Sequence, residues 1–339
     1  MAADLPCIGV IGAGRMGEGI ALAFAHAGIP ITVIDVKQRS ADDRSAYFQQ
    51  VRAHLDTELQ LLARLGVLTA DQSGTIAGRI GLASRDEAAA LLARCDLLFE
   101  AVPEVLAIKA EQLQWVGENV AEDTVIASTT STFLVTELAT MVPRPERFIN
   151  AHWLNPAHLM PLVEVSRSEV TADATVQKTV GLLKAIGKVP VLCNPVAGYI
   201  VPRIQALAMN EAARMVEEGV ASAEDIDTAV RIGFGLRFSV LGLLEFIDWG
   251  GGDILYYASR YLAGALAPRF EPPDIIAEHM RSGHNGLRER QGFYDYRTVD
   301  VDAYKLGRLR EFVRKLELAG LVPRLNAALA PPREAQSRR

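Results

Sequence analysis

The chain has 339 residues, half of them apolar and 22% charged, with a net charge of −6. That is about twice the usual size of one domain, so two domains are expected, and the basic surplus of a nucleic-acid binder is missing. No charge-free stretch reaches the roughly 18 to 20 apolar residues that cross a bilayer, and the opening MAADLPCIGV lacks the basic region and unbroken apolar run of an export signal. A cytoplasmic protein with neither nucleic acid nor membrane as a partner is the expectation.

The first half alternates apolar runs with helical patterns. The runs are CIGVIG, ITVID, CDLLFEAV, TVIAS, RFINAHWL, MPLVEV and KVPVLC. Such alternation predicts an α/β Rossmann-type domain, with a mostly parallel sheet and helices on both faces. Between the first two runs lies Gly12-Ala13-Gly14-Arg15-Met16-Gly17, which opens an alanine-rich helix. In this GxGxxG pattern the glycines serve a tight turn, the close approach of backbone to a pyrophosphate, and the packing of helix on strand. The helix N-terminus offers unpaired N–H groups and partial positive charge to the phosphates. Gly12, Gly14, Arg15, Met16 and Gly17 are therefore candidate cofactor contacts.

The second run ends in Asp35, about 20 residues past the motif, where a carboxylate would accept bonds from ribose hydroxyls and repel a 2′-phosphate. NAD is thus expected rather than NADP, with Lys37 and Arg39 softening the preference. FAD shares the fingerprint and competes at this point. From Ser40 to Gly66 an amphipathic stretch predicts a projecting helix or helical hairpin, closed by Gly66.

After Cys193 the strand signals stop and long helical windows follow, so an all-α C-terminal domain is expected. Ser222, three residues before Asp225, opens one helix as a capping box. The expected division is a cofactor-binding domain over 1–193, a helical substrate and dimerisation domain over 194–328, and a frayed, proline-rich tail over 329–339. The apolar content of the helical half suits a homodimer interface. Cys7, Cys95 and Cys193 are scattered, without metal-ligand or disulfide spacing, and read as free thiols packed as small apolar groups. No metal site is expected.

Chemistry-bearing residues cluster just past the ends of successive runs, where open α/β sheets place ligands. They are Glu104 and Lys109, then Ser131, then His152, Asn155 and Glu164. Oxidising an alcohol with NAD needs a base for the hydroxyl proton, and imidazole titrates in the right range. A carboxylate on the other ring nitrogen fixes the tautomer and stabilises the imidazolium. His152 is the candidate base and Glu164 its orienter, because a glutamate buried unpaired in an apolar strand is costly. Ser131 and Asn155 would serve the substrate side.

These residues resemble the 3-hydroxyacyl-CoA dehydrogenase family over nearly the whole chain: GAGRMGEGIA, FEAVPE with Lys109, ASTTS, HWLNP with LVEV, AGYIVPRI with NEA, AEDIDTA and QGFYDY. The resemblance implies fatty acid metabolism, a Rossmann domain before a dimer-forming helical domain, and His152 and Glu164 as catalytic dyad. It also implies Ser131 as a catalytic serine, Asn155 on the substrate side, and Glu104 and Lys109 beside the nicotinamide. Flavin is disfavoured accordingly.

The chain departs from the family pattern at Pro202, where an asparagine is usual, and at Trp153, which implies a differently shaped substrate cavity. The helical stretch near Arg52 to Gly66 also lacks the family's CoA-binding lysine. GFGLRFSV resembles the lambda-crystallin/L-gulonate and L-carnitine dehydrogenase branch, and Arg237 within it could bind a substrate carboxylate. The expected substrate is a short-chain L-3-hydroxyacyl-CoA, with a free small 3-hydroxy acid as alternative. A non-catalytic NAD-binding protein is the reading from another class.

Overall fold

Ile8 to Ile11 is apolar at consecutive positions, the pattern of a strand covered on both faces, and it forms the central strand β1 (Ile8–Ile11). The computed structural model describes residues 5–323, so the expected tail over 329–339 lies outside the described residues. With β1, the strands β2 (Ile31–Asp35), β3 (Ile80–Ser84), β4 (Leu97–Glu100), β5 (Val125–Ser128), β6 (Phe148–Trp153), β7 (Leu162–Ser166) and β8 (Val189–Cys193) make one sheet. Its order is β3-β2-β1-β4-β5-β6-β7-β8. Every neighbouring pair is parallel except β6 with β7, which runs antiparallel and sets His152 opposite Glu164. Strand order reverses at β1 and β4, which opens a crevice at their carboxyl ends.

Seven strands fall on the apolar runs; β3 does not. Its sequence IGLAS is short and contains glycine and alanine, it is partly exposed at the sheet edge, and it pairs with β2 alone. An edge strand needs no continuous apolar run, so the signal is weak.

Helices cover both faces. On one side α1 (Arg15–His26), α2 (Ala41–Arg64) and α3 (Ala70–Ala77) pack one core around Phe24, Phe99 and Ile149. On the other, α4 (Ala89–Leu92), α5 (Leu106–Asn119) and α6 (Val135–Ala139) pack a second core around Leu98, Leu113 and Phe148. A seventh helix, α7 (Asp173–Ala185), joins the first side. The stretch from Ser40 to Gly66, expected as a projecting helix or helical hairpin, is the single helix α2 packed on the core, and it forms a hairpin only with α3 beyond Gly66. Ser40 caps α2 by accepting from Asp43 N at 3.1 Å, and Gly66, at φ 73°, turns the chain toward α3. Within α2 the buried Val51, Leu55, Leu59 and Leu62 form a single helical stripe.

The chain divides into two compact units, Met1–Met209 and Asn210–Arg339, with the division inside α8 (Val201–Glu217). Taken by itself, the second unit is helical: α9 (Ala223–Ala229), α10 (Leu236–Phe238), α11 (Leu243–Gly250), α12 (Gly252–Ala265), α13 (Asp274–Ser282) and α14 (Val301–Ala319). Ser222 caps α9 as expected, accepting from Asp225 N at 3.1 Å. The buried Asp248 accepts from Phe293 N and Tyr294 N, each at 2.9 Å, and so ties the QGFYDY segment to α11. Among the described residues no helix is long and apolar enough to cross a membrane.

Candidate active site and cofactor cleft

The three glycines of the turn after β1 are needed for different reasons. Gly12 has φ 97°, and a Cβ on it would lie 2.5 Å from Ala101 O; on Gly17 a Cβ would lie 1.9 Å from Gly12 O. Both are required by the fold itself. Gly14 is extended and exposed, and a Cβ there would meet no protein atom within 4 Å. The fold itself therefore does not require a glycine here, and the open turn leaves room for a group such as a pyrophosphate. Gly14 is also the N-cap of α1 with no side-chain cap, which leaves the first-turn N–H groups free for an anion.

Arg15 is exposed at this turn and Met16 packs partly against the core. At the end of β2, the buried Asp35 accepts from Arg39 Nε at 2.6 Å and Lys37 N at 3.3 Å. Arg39 in turn lies over the Tyr47 ring at 3.9 Å. The turn, the free helix end and the Asp35 carboxylate fit NAD.

The β6–β7 register brings His152 and Glu164 together, with Nδ1 and Oε2 2.9 Å apart. Glu164 is fully buried and His152 nearly so. The second carboxylate oxygen, Oε1, accepts from Ile200 N at 2.9 Å and Val201 N at 2.8 Å, where α8 begins. With Glu164 accepting at Nδ1–H, the lone pair of His152 sits on Nε2, and the imidazole can take a proton there.

Pro202 follows directly. Proline lacks an N–H and is tolerated in a first helical turn. The neighbouring donors are all used: Tyr199 N on Val196 O, Ile200 N and Val201 N on Glu164, and Arg203 N on Gly198 O.

Glu104 and Ser131 lie together: Ser131 N and Oγ donate to Glu104 Oε1 at 2.8 and 3.4 Å, and Thr130 Oγ1 donates to Oε2 at 3.0 Å. Lys109 is buried, 3.5 Å from Glu104 Oε2, but its main partner is Glu100. Lys109 Nζ donates to both Glu100 oxygens at 2.8 and 3.1 Å, while Ser128 Oγ and Val102 N donate to the same carboxylate at 2.6 and 3.0 Å. Sequence reasoning missed Glu100. The signal was there, because LLFE is an apolar run ending in a carboxylate, the argument already applied to Glu164.

Trp153 needs correcting. It was expected to shape the substrate cavity, but it is 3% exposed in the core, 5.6 Å from the Phe99 ring and 6.4 Å from Phe24. Successive strand residues point to opposite faces, so the neighbour of a site-facing His152 must turn away. Asn155 lies beyond β6 and lines a cavity of about 630 Å³ with Gly14, Glu18, Tyr47, His54 and Glu58. Burial raises the Glu18 carboxyl there, and burial lowers the imidazole of His158 on the same wall. In the second unit Arg237 lies over the Phe246 ring at 4.8 Å. Among the described residues no group of His, Cys, Asp and Glu is arranged to hold a metal ion.

Also missed was Tyr199, whose ring is stacked on His152 with centroids 5.2 Å apart and planes 22° from parallel. An aromatic at a helix start reads as core, and nothing in its spacing announces the stack.

Comparison with known proteins places two family models on the chain. The 3-hydroxyacyl-CoA dehydrogenase NAD binding domain matches residues 7–196, and the 3-hydroxyacyl-CoA dehydrogenase C-terminal domain matches residues 198–296. A 5-formyl-3-hydroxy-2-methylpyridine 4-carboxylate 5-dehydrogenase of Mesorhizobium japonicum is 30% identical over 308 residues, 90% of this chain and 96% of that protein. A probable 3-hydroxybutyryl-CoA dehydrogenase of Deinococcus radiodurans is 34% identical over 289 residues, 85% of this chain and 99% of that protein. Among solved structures, the 3-hydroxyacyl-CoA dehydrogenase of Archaeoglobus fulgidus matches with a TM-score of 0.72 at 31% identity, covering 93% of this chain and 99% of that one.

Proposed function

The chain belongs to the 3-hydroxyacyl-CoA dehydrogenase family, NAD-dependent oxidoreductases acting on CH–OH groups, and from that premise we propose that it oxidises a short-chain L-3-hydroxyacyl-CoA to the 3-ketoacyl-CoA. The observation that carries this reading is the buried His152–Glu164 contact of 2.9 Å at the carboxyl end of the sheet. In the proposed reaction His152 Nε2 takes the hydroxyl proton of a 3-hydroxybutyryl-type substrate. Glu164 holds Nδ1–H and stabilises the imidazolium that forms. Ser131 Oγ bonds the substrate oxygen and Asn155 holds the same region. Gly12 to Gly17 and the start of α1 seat the pyrophosphate, Asp35 the ribose, and Glu104 and Lys109 border the nicotinamide. Bound NAD supplies the hydride acceptor.

The dyad sits within the proposed sheet domain, 1–193, and the helical region over 194–328 is proposed as substrate and dimerisation domain. Homodimer formation is supported by Ile254, Tyr257 and Tyr261, exposed on one side of α12. Sedimentation as a monomer at micromolar concentration would reject it.

A second reading is a free small hydroxy acid as substrate, with Arg237 on its carboxylate. It is favoured by the lack of lysine in α2 and by the similarity to the pyridine carboxylate dehydrogenase. NADH absorbance with acetoacetyl-CoA and with a panel of free 3-oxo acids separates the two. Oxidation of NADH by acetoacetyl-CoA supports the first reading; turnover confined to free acids supports the second. Loss of less than about 100-fold in kcat in His152→Gln would reject the dyad in either case.

A further inference from the structure

Tyr199 has φ 44° and follows Gly198 at φ 77°, two successive residues in the left-handed region. That conformation is uncommon for a tyrosine, and such residues persist only where their surroundings fix them. What it achieves is threefold. The ring, 4% exposed, lies flat on His152. The hydroxyl donates, shared, to Thr130 O and Phe133 O, each at 3.2 Å. The next two backbone N–H groups reach Glu164. A leucine would lose both the flat ring contact and the hydroxyl; a phenylalanine would lose only the hydroxyl.

Resting on the dyad proposed above, we infer that Tyr199 is a positioning residue: its ring fixes the tilt of His152, and its hydroxyl locks that base to the turn carrying Ser131. An imidazole held only at Nδ1 can still tilt about that bond, and a stacked ring removes the freedom. The same π-face favours the imidazolium as it forms. The hydroxyl stays a donor at working pH, because burial, and then the Glu104 carboxylate, push the phenol well above its ordinary range. The titratable groups around this stack are Glu164 from β7, Glu104 after β4 and Cys193 at the end of β8.

The test uses full-length Tyr199→Phe, Tyr199→Leu and His152→Gln proteins. Imidazole NMR without any substrate reads His152 directly: Tyr199→Leu should shift its ring proton resonances downfield as the stacked ring is lost, while Tyr199→Phe leaves them in place. With acetoacetyl-CoA and NADH, Tyr199→Phe should lower kcat about 10-fold as the Ser131 turn loosens, with KM for NADH unchanged. Wild-type imidazole resonances and kcat in both tyrosine variants would overturn the inference, as would a fall in thermal midpoint with neither change. Full activity in His152→Gln instead rejects the dyad, and the imidazole resonances still decide whether Tyr199 positions the ring.

Discussion

Val201 gives its backbone N–H to Glu164 Oε1 at 2.8 Å, so the first turn of α8 is built onto the carboxylate that contacts His152 Nδ1. Two consequences are separable. Glu164→Gln keeps the size but cannot stabilise an imidazolium, and kcat should fall by about 100-fold. Glu164→Ala also strands the Ile200 and Val201 N–H groups, which should cost about 1–3 kcal/mol of stability in urea unfolding. An alanine variant as stable as the parent would show that these donors do not depend on Glu164.

The glycine turn makes a paired prediction. Gly17→Ala forces a Cβ to 1.9 Å from Gly12 O, and should destabilise the chain by about 1–3 kcal/mol whether or not NAD is present. Gly14→Ala meets no protein atom, and should leave the thermal midpoint nearly unchanged while weakening NADH at least about 10-fold, a loss of ~1.4 kcal/mol in binding. Fluorescence titration with NADH and calorimetry of both variants check this. Equal NADH affinity in Gly14→Ala and the parent would mean that the pyrophosphate does not lie on that turn.

Lys109 and Glu100 are both fully buried, and their pairing is completed by Ser128 and Val102. Lys109→Met leaves a carboxylate without its counter-charge, which should cost about 3–5 kcal/mol. The double variant Lys109→Met with Glu100→Leu should recover only part of that loss, since it removes both buried charges but leaves the Ser128 hydroxyl and the Val102 N–H without their acceptor. Chemical denaturation of the two proteins measures it. A single variant of parental stability would show that the pair contributes little to the fold.

The cofactor half of the site was legible because its physics is local. A tight turn, a helix end and a carboxylate at the end of the next strand all fall within the stretch from Ile8 to Asp35, and their spacing is fixed by one βαβ unit. His152 and Glu164 were legible for another reason: a glutamate inside LVEV must find a partner. That the pairing strand runs antiparallel is set by tertiary packing, and no local signal states it. Trp153 was misplaced through neglect of strand alternation, which the sequence does carry. Tyr199 could not be found locally. Its role depends on a left-handed turn and on contacts with residues 47 and 69 positions away. The edge strand β3 stayed hidden because partial exposure relaxes its composition.

Cys7 and Cys95, distant in sequence, become neighbours because β1 pairs with β4: Cys95 Sγ lies 3.4 Å from Cys7 O. The adjacent Cys95 thiol, helped by the Arg94 guanidinium, lowers the Cys7 thiol from 9.0 to about 7. The Cys95 thiol is pushed above its ordinary range by the same contact and by burial. An acid whose folded pKa is depressed adds stability above its unfolded pKa and loses it as pH falls through the folded value. Cys7 should therefore contribute least below about pH 7 and fully above about pH 9. Alkylation by iodoacetamide should reach half its maximal rate near pH 7 at Cys7 and leave Cys95 unlabelled. In Cys95→Ala that neighbouring thiol is gone, and the Cys7 midpoint should climb back toward 9.0. A parent midpoint already near 9.0 would remove the Cys95 contact as a cause.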